Sequence, residues 1–403
     1  MRRPVESYKV SRMLGMAPEP INAGSLDGLL VADFSRVLAG PIATMLLADL
    51  GAEVVKVERP GAGDDTRAWG PPCAPDGESS YYLSVNRNKR SVALDLKDAD
   101  DLAAAGDLAR RADVVIENFR PGVMARLGLD HATLSAENAR LVSCRIAGIG
   151  TGDVAGYDFL AQAVGGLMSI TGEADGRPLK VGVALVDVMA GLHATIGILA
   201  ALRHRDRTGV GQLVEVDLLS STLFALANQA SSFLTAGVVP GRLGNRHPSI
   251  APYETLAAAD GPIVVAVGND GQFRELCGCL GVPALADDPR FATNAARVTN
   301  RDDLTAALEE RLTTHDAHEW LVLLGAAGIP CGSVNDIEEA FAFARTVGLE
   351  PARTIARADG TDVATTANPL RLSETPPTYR LAPPRLGEHT EEILAWLRRE
   401  DPA

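Results

Sequence analysis

An isolated acidic residue, Asp187, lies within an almost wholly apolar run, VGVALVDVMAGLHATIGILAAL, at positions 181–202. An unpaired carboxylate is costly to bury, so an acidic residue in this run requires a reason. The pattern predicts a strand that ends at Asp187 and a helix over 188–203, and Asp is a favoured N-cap residue. The same position suits a carboxylate nucleophile, because N–H groups at a helix start stabilise the oxyanion of a covalent adduct. Spacing alone leaves both interpretations open.

Basic residues are the second chemical signal, because many of them lie beside the ends of predicted strands. In parallel sheets, ligands bind at the loops that follow the carboxyl ends of the strands. Guanidinium and ammonium groups bind phosphate and carboxylate, so their presence in these loops predicts an anionic ligand. The basic residues concerned are Arg36, Arg59, Arg67 and Arg120, together with Arg87, Lys89 and Arg90 just before another strand.

Strand and helix signals alternate over residues 28–150. The alternation indicates βαβ units, so the predicted fold class is α/β with a parallel sheet. The predicted strands are 29–34, 52–58, 91–96, 113–119 and 140–148, and the predicted helices are 41–51 and 98–112.

The second half of the chain shows shorter elements. The strand LVEVDL and a long helix from Ser220 to about Ala236 precede a loop over 237–253. A hairpin is predicted around Asp260-Gly261. Helices near 270–281, 301–313 and 316–327 then indicate a smaller α+β domain, and the last sixty residues contain two weak strands and a closing helix, EHTEEILAWLRR.

Composition and charge exclude several classes of partner. The 403 residues have a formal net charge of −14, so no general basic field attracts nucleic acid or a membrane surface. The five cysteines form no CxxC pair, which favours reduced thiols in a cytoplasmic protein over a disulfide framework or a zinc site. The run 181–202 is long enough to span a membrane, but Asp187 and His193 favour a buried core segment.

Other catalytic motifs have little support. DFSRVLAGPIATM, which begins in the first strand, lacks GxGxxG, so a dinucleotide site is not predicted. No HExxH is present, and His315 with His318 fits a solvated helix end better than a metal site. No GxSxG elbow is present either. His247, in GNRHPSIAPY, fits either a turn residue or part of a flexible cover over a reactive site.

Several sequence blocks occur together in a fixed order. They are DFSRVLAGPIATMLLADLGAEVVKVERPGAGDDTR, NRNKRSVALDLK, ADVVIENFRPGVMARLGL, GYDFLAQAVGGLMSITGEADGRP, VGVALVDVMAGLHATIGILAAL and LGEHTEEIL. In this combination the chain resembles the family III CoA transferases from about residue 26 to its end.

The resemblance implies a Rossmann-like large domain built from both ends of the chain, a smaller α+β domain between them, and an interlocked homodimer. The implied organisation is a loose leader over 1–24, a large domain over 25–222, a linker over 223–244, a small domain over 245–328, and a return linker with the rest of the large domain over 329–403.

The resemblance also implies site residues. Asp187 matches the catalytic aspartate of the family, and CoA or acyl-CoA is a substrate, with no tightly bound cofactor and no metal. The CoA-binding positions implied are Val37, Ala39, Arg59, Lys89, Asn118, Phe119, Arg126 and Leu127. Gly244, Asn245 and His247 form a candidate active-site loop.

The implied reaction moves CoA from an acyl-CoA donor to a carboxylic acid acceptor through aspartyl anhydride and aspartyl-CoA thioester intermediates. The loop GNRHPS lacks a glycine run, which disfavours oxalate or formate, and the blocks are most similar to members that handle dicarboxylates such as succinate or glutarate. Two alternatives stay open. A 2-methylacyl-CoA racemase is disfavoured by Tyr157, which stands in AGYD where racemases have a basic histidine. A non-catalytic acyl-CoA-binding protein is the other.

Overall fold

The computed structural model describes residues 24–150 and 156–399, and the chain divides into two compact units. The predicted leader lies outside the described residues, except for Gly24. The first unit comprises Met1–Leu167, Val181–Ser231 and Glu350–Ala403, and the second comprises Met168–Lys180 and Ser232–Leu349. The second unit therefore includes all of the predicted small domain, 245–328. It also includes flanking residues that were predicted to be linkers, and the short segment 168–180 that was predicted to belong to the large domain.

A six-stranded sheet forms the centre of the first unit. Its strands are β1 (Leu30–Asp33), β2 (Glu53–Glu58), β3 (Lys89–Ala93), β4 (Val114–Glu117), β5 (Val142–Ala147) and β6 (Leu213–Asp217). Every neighbouring pair is parallel, in the order β3-β2-β1-β4-β5-β6, so the predicted α/β class is confirmed. The strand order reverses between β1 and β4, and ligands of such sheets bind in the crevice at this point.

Helices follow most of the strands. The first are α1 (Ala39–Asp49), α2 (Ser80–Ser84), α3 (Ala99–Arg111), α4 (Val123–Arg126), α5 (His131–Glu137), α6 (Asp158–Val164), α7 (Leu185–Thr208), α8 (Leu218–Ala225) and α9 (Ala227–Ala236). The remaining helices are α10 (Asp270–Cys279), α11 (Asn294–Thr299), α12 (Arg301–Leu312), α13 (Ala317–Ala326), α14 (Ile337–Thr346) and α15 (Thr390–Leu397).

The two faces of the sheet are covered by different helices. Successive strand residues point to opposite faces, so each strand contributes to both sides of the core. Val31 and Val54 pack against α1 and α7, whereas Ala32 and Val55 pack against α3 and α15. The closing helix thus returns the end of the chain to the first unit.

Helix α7 begins earlier than the sequence predicts. It starts at Leu185, and residues 181–184 form no strand, so the predicted strand ending at Asp187 is wrong. The physical reason is that an all-apolar run has no periodicity by which strand and helix can be distinguished. In the structure Val186, Ala190 and Ala194 are buried at helical spacing.

The long helix predicted from Ser220 to about Ala236 is two helices, α8 and α9. Ala227, at the start of α9, has a φ of 46°, which a continuous α-helix does not allow. Strand β3 also begins at Lys89, two residues before the predicted start. The other five predicted strands of the sheet agree with the structure within two residues at each end.

Among the described residues, one helix, α7, is long and apolar enough to cross a membrane by length and composition. In the structure this helix packs on the sheet and on α1, and Ala190, Ala194 and Ile198 are fully buried. Its burial matches the core segment predicted from the sequence.

The second unit has a small antiparallel sheet of β7 (Tyr253–Ala257), β8 (Pro262–Ala266) and β9 (Cys331–Ser333). The hairpin around Asp260-Gly261 and the helices α10, α12 and α13 agree with the sequence prediction. In the first unit, β10 (Ala352–Ala356) and β11 (Asp362–Thr366) pair antiparallel and correspond to the two weak strands predicted there.

The close packing of α7 on α1 depends on Gly191. A Cβ at this position would lie 2.6 Å from the carbonyl oxygen of Ala39 and 3.1 Å from Cγ2 of Ile42. We expect Gly191→Ala to lower the free energy of unfolding by about 1–3 kcal/mol, because the helices must separate. Thermal unfolding followed by circular dichroism measures this loss.

Gly325 in α13 is the matched control, because a Cβ there meets no atom within 4 Å. Gly325→Ala should leave Tm unchanged or raise it, since alanine favours a helix over glycine by about 1 kcal/mol. Equal effects of the two substitutions would contradict the proposed close contact.

Candidate active site

Asp187 lies in the first turn of α7. The N-cap of this helix is Ala184, which offers no capping side chain, so the interpretation of Asp187 as the N-cap is wrong. Asp158, at the start of α6, caps the helix instead. Its Oδ1 accepts the Val186 N–H at 2.8 Å and the Asp187 N–H at 3.4 Å. The carboxylate of Asp187 is therefore not needed to satisfy the helix start.

The surroundings of Asp187 destabilise its charged form. Burial, and then the negative charge of Asp158, raise the pKa of Asp187 to about 7. A carboxylate that is poorly hydrated and repelled by a second carboxylate is a stronger nucleophile than one in water. Asp158 was not among the residues singled out from the sequence, because its proximity to Asp187 depends on the tertiary fold.

Tyr81 of α2 is a second neighbour of Asp187 that the sequence did not indicate. Burial, followed by the charges of Asp187 and Asp158, raises the pKa of Tyr81 to about 12, so the phenol keeps its proton. Tyr81 packs against a small apolar cluster that contains Leu38, Met45 and Val85, and its ring meets Trp69 edge-on at 5.0 Å between centroids. A neutral hydroxyl and an apolar wall thus lie beside the candidate nucleophile.

The side chain of Asp187 lines a cleft at the carboxyl ends of β1, β4 and β5. The cleft brings the candidate nucleophile together with four of the predicted CoA-binding positions. Its lining includes Arg36, Val37, Leu38, Ala39, Asn118, Phe119, Arg120, Arg145, Gly148, Gly156, Tyr157 and Asp187.

Three arginines line this cleft, and two of them pair with carboxylates. Arg36 pairs with Asp65 at 3.3 Å and Arg145 pairs with Glu215 at 3.1 Å. The side chain of Arg120 has no ion-pair or hydrogen-bond partner within residues 24–150 and 156–399. A guanidinium that lines the cleft without such a partner is available to bind an anionic ligand.

The loop after β1 is held rigidly at the mouth of this cleft. The Arg36 N–H donates to Oδ1 of Asn118 at 2.8 Å, and Nδ2 of Asn118 donates back to the carbonyl of Arg36 at 2.7 Å. Val37 has a φ of 70°, a left-handed conformation that is unfavourable for a β-branched residue and costs about 1–3 kcal/mol. The contacts around the loop must offset this strain.

A neighbouring cavity contains another of the predicted positions, Arg59. Phe119 lies between this cavity and the cleft of Asp187, and lines both. Lys97 lines the same cavity as Arg59, although the sequence analysis did not single it out. Its position just after β3 is a signal that the strand-end rule would have recognised.

Lys89 does not reach either cavity. It is fully buried, and its Nζ donates to Oδ2 of Asp33, the carbonyl of Pro41 and Oδ1 of Asn86. Burial lowers its pKa to about 8. The structure does not support the predicted contact between Lys89 and CoA, because the ammonium group is already surrounded by protein acceptors.

The remaining predicted positions lie elsewhere. Arg126 is at the end of α4, with Leu127 directly after it, and neither lines the two cavities. The loop with Gly244, Asn245 and His247 belongs to the second unit. There His247 Nδ1 accepts the Ser249 N–H at 3.1 Å, a bond typical of a turn residue. A role of this loop in the active site stays a prediction.

Comparisons with known proteins identify the family. Residues 26–390 match the family described as CoA-transferase family III. The chain is 44% identical over 391 residues to the succinate–glutarate CoA-transferase of Agrobacterium fabrum, and the aligned region covers 95% of this chain and 98% of that protein. It is 42% identical over 372 residues to the acetyl-CoA:oxalate CoA-transferase of Acetobacter aceti, covering 91% and 94%. The chain belongs to CoA-transferase family III.

A solved structure agrees with this assignment. The crystal structure of a CAIB/BAIF family protein from Brucella suis matches with a TM-score of 0.82 and 43% identity, covering 93% of this chain and all of that one. The family predicted from the sequence blocks, and with it the CoA-transferase class, is confirmed. In this family III CoA-transferase, no group of three or more His, Cys, Asp or Glu side chains within the described residues could hold a metal ion.

The raised pKa of Asp187 predicts the pH dependence of this CoA-transferase. Only the ionised carboxylate is nucleophilic, so kcat/KM should rise with pH and level off above about 7. Asp158→Asn removes the neighbouring negative charge and should move the inflection to lower pH. Initial rates between pH 5 and 9 measure both profiles.

Glu310→Gln is the control for the loss of one acidic charge, because Glu310 lies on an exposed face of α12 in the second unit. It should leave the inflection unchanged. An inflection near pH 4 in the unsubstituted protein would contradict the proposed environment of Asp187.

Proposed function

We propose that this protein transfers CoA from an acyl-CoA to a dicarboxylic acid, with Asp187 as the covalent nucleophile. The observation that supports this most directly is the position of Asp187: a poorly hydrated carboxylate that lines a cleft at the strand ends, together with the guanidinium of Arg120, which is unpaired within the described residues. The relatives are named for the transfer of CoA between acids, and their named acids succinate, glutarate and oxalate are dicarboxylates.

The first half of the reaction moves CoA onto the enzyme. The Asp187 carboxylate attacks the thioester carbonyl of the donor, and the C–S bond breaks to give an aspartyl mixed anhydride and CoA thiolate. The thiolate then attacks the carbonyl carbon of Asp187, which releases the donor acid as its carboxylate and leaves an aspartyl-CoA thioester. No proton is transferred in either step, so no general base is required.

The second half reverses these steps with the acceptor. The acceptor carboxylate attacks the aspartyl-CoA thioester, which forms a new mixed anhydride and frees the thiolate. The thiolate attacks the acyl carbon of the acceptor, so the new acyl-CoA leaves and the Asp187 carboxylate is restored. One thioester is consumed and one is formed, so the bond energy is conserved without ATP.

The cleft supports transfer over the racemase alternative. A racemase needs a base that removes the proton beside the thioester. Tyr157, which stands where racemases have a basic histidine, lines the cleft. A phenol is a poor general base near neutral pH. A carboxylate nucleophile needs no such base, and no histidine occurs among the described residues that line the cleft.

We further propose that the protein is a homodimer. Large apolar side chains on α7 and α8 are exposed in the single chain: Leu192, Ile196, Leu223 and Phe224. The ring of Phe224 meets that of His193 edge-on at 5.4 Å, so these helices share one surface. Contiguous exposed apolar surface of this kind marks a protein interface.

The homodimer can be tested by sedimentation equilibrium, which should give twice the chain mass. A monomer at micromolar concentration would contradict the proposal.

The covalent role of Asp187 can be tested by trapping. Incubation with an acyl-CoA and hydroxylamine should convert the Asp187 thioester to a hydroxamate, which peptide mass spectrometry locates. Asp187→Ala should retain its fold and lose activity by several orders of magnitude, because no covalent route remains. An active enzyme whose Asp187 is never modified would rule out this mechanism.

The role of the cleft arginines can be tested with paired acceptors. We assign Arg120 to the distal carboxylate of the acceptor. Arg120→Gln should then raise the KM for a dicarboxylate by roughly tenfold to a hundredfold, because it removes a charge-assisted hydrogen bond. The KM for a monocarboxylate of similar length and the Kd for CoA should change little. The readouts are initial rates with each acid and calorimetric titration with CoA.

Arg203→Gln is the matched control, since Arg203 is an exposed residue in the last turns of α7. Its acceptor kinetics should equal those of the unsubstituted protein. If Arg120→Gln weakened CoA binding and left the preference for dicarboxylates intact, Arg120 would be a CoA ligand and the assignment to the acceptor would be wrong.

A further inference from the structure

The loop that follows β1 borders the cleft of Asp187 in a conformation that its own sequence disfavours. Val37 is β-branched, yet its φ is 70°. Steric contacts make this region accessible to glycine and unfavourable for valine, so surrounding groups must hold the backbone there. Val37 and its neighbours Leu38 and Ala39 line the cleft directly, so the shape of this loop determines what the cleft can accept.

One side chain holds the strained residue itself. The N–H of Val37 donates to the carboxylate of Asp64, at 3.2 Å from Oδ2 and 3.3 Å from Oδ1. Asn118 binds the Arg36 N–H and the Arg36 carbonyl, and Asp64 is the side chain that accepts the N–H of Val37 itself. Asp64 therefore acts at the point where the backbone becomes left-handed.

Asp64 is held rigidly in turn. Its side chain is buried against Lys56, whose Nζ lies 2.9 Å from Oδ2, and Oδ1 accepts the Thr66 N–H at 3.0 Å. The same Lys56 ammonium donates to the carbonyl of Ser35 at 2.9 Å. The buried ion pair of Lys56 and Asp64 therefore binds the loop at two points: Lys56 binds the carbonyl of Ser35, and Asp64 binds the N–H of Val37.

We propose that Asp64 is a positioning residue for CoA transfer: it holds Val37 in its left-handed conformation and thereby shapes the cleft wall that receives the acyl-CoA beside Asp187. Asp64 does not touch the reacting atoms, because both of its oxygens are engaged by Val37, Lys56 and Thr66. Its effect passes through the Val37 backbone. The inference rests on the CoA-transferase activity proposed above.

A double-mutant cycle tests this role. Asp64→Ala, Val37→Gly and the double variant are compared with the unsubstituted protein in kcat/KM for the acyl-CoA and in Kd for CoA by calorimetry. Glycine reaches a φ of 70° without steric cost, so a chain with Val37→Gly depends less on the carboxylate. In the otherwise unsubstituted chain, we expect Asp64→Ala to lower kcat/KM by a factor of about ten or more. In the Val37→Gly background, the factor lost to Asp64→Ala should be smaller by at least about threefold.

Asp113→Ala is the matched control. Asp113 also accepts a backbone N–H, that of Leu30 at 3.0 Å, and pairs with a buried cation, Arg205, at 2.8 Å. It precedes β4, at the opposite end of the strands from the cleft. It should lower Tm, while kcat/KM and the Kd for CoA of the folded protein stay the same, since a purely structural ion pair does not act on the cleft.

The outcomes separate positioning from stability. Equal losses from Asp64→Ala in the two backgrounds, within about twofold, would overturn the proposal, as would full activity of the folded single variant. If Asp64→Ala does not fold, Asp64→Asn, which keeps the volume and loses the charge, takes its place in the cycle. The Kd comparison decides the matter without turnover, so a failure of the proposed acyl transfer is distinguishable from a failure of this inference.

Discussion

The partial burial of Asp187 and its repulsion by a second carboxylate, Asp158, form the constraint on which the chemistry of this site depends. Burial and this repulsion favour the protonated form of Asp187 in the folded chain, with a pKa of about 7 against an ordinary value of 3.8. Folding stability from this group is therefore fully present below about pH 3.8 and is lost as the pH rises through about 7. At neutral pH the rest of the fold must offset an ionised carboxylate, and the apolar packing of α7 on the sheet provides much of that stability.

The parallel sheet brings the chemistry together because its carboxyl edge collects short loops from distant parts of the sequence. The loops after β1, β4 and β5 meet near the strand-order reversal, where Val37, Asn118 and Gly148 line one cleft. The two hydrogen bonds between Asn118 and the Arg36 backbone join the loops after β1 and β4 into one rigid part of the cleft wall. A rigid wall reduces the ordering that ligand binding must impose.

The strands and the chemical class of the site were predictable because they depend on local pattern. Alternating strand and helix signals gave the sheet, and the sequence blocks gave the family and Asp187. The start of α7 was not predictable, since an apolar run has the same appearance in a strand and in a helix. The burial of Lys89 was not predictable, because a lysine at the start of a strand points to either face, and here its ammonium pairs with Asp33. Asp158, Tyr81 and Asp64 act through tertiary contacts that no spacing rule contains.

The return of the chain in α15 affects how the protein is made. Trp396 and Ile393 complete the apolar layer over β1 and β2, and Arg87 is bound by Thr365 late in the sequence. During synthesis Asp187 and the whole second unit therefore leave the ribosome before this layer can close. Until then α3 covers this face of the sheet without α15, and apolar surface that is exposed in a partly synthesised chain is prone to aggregate.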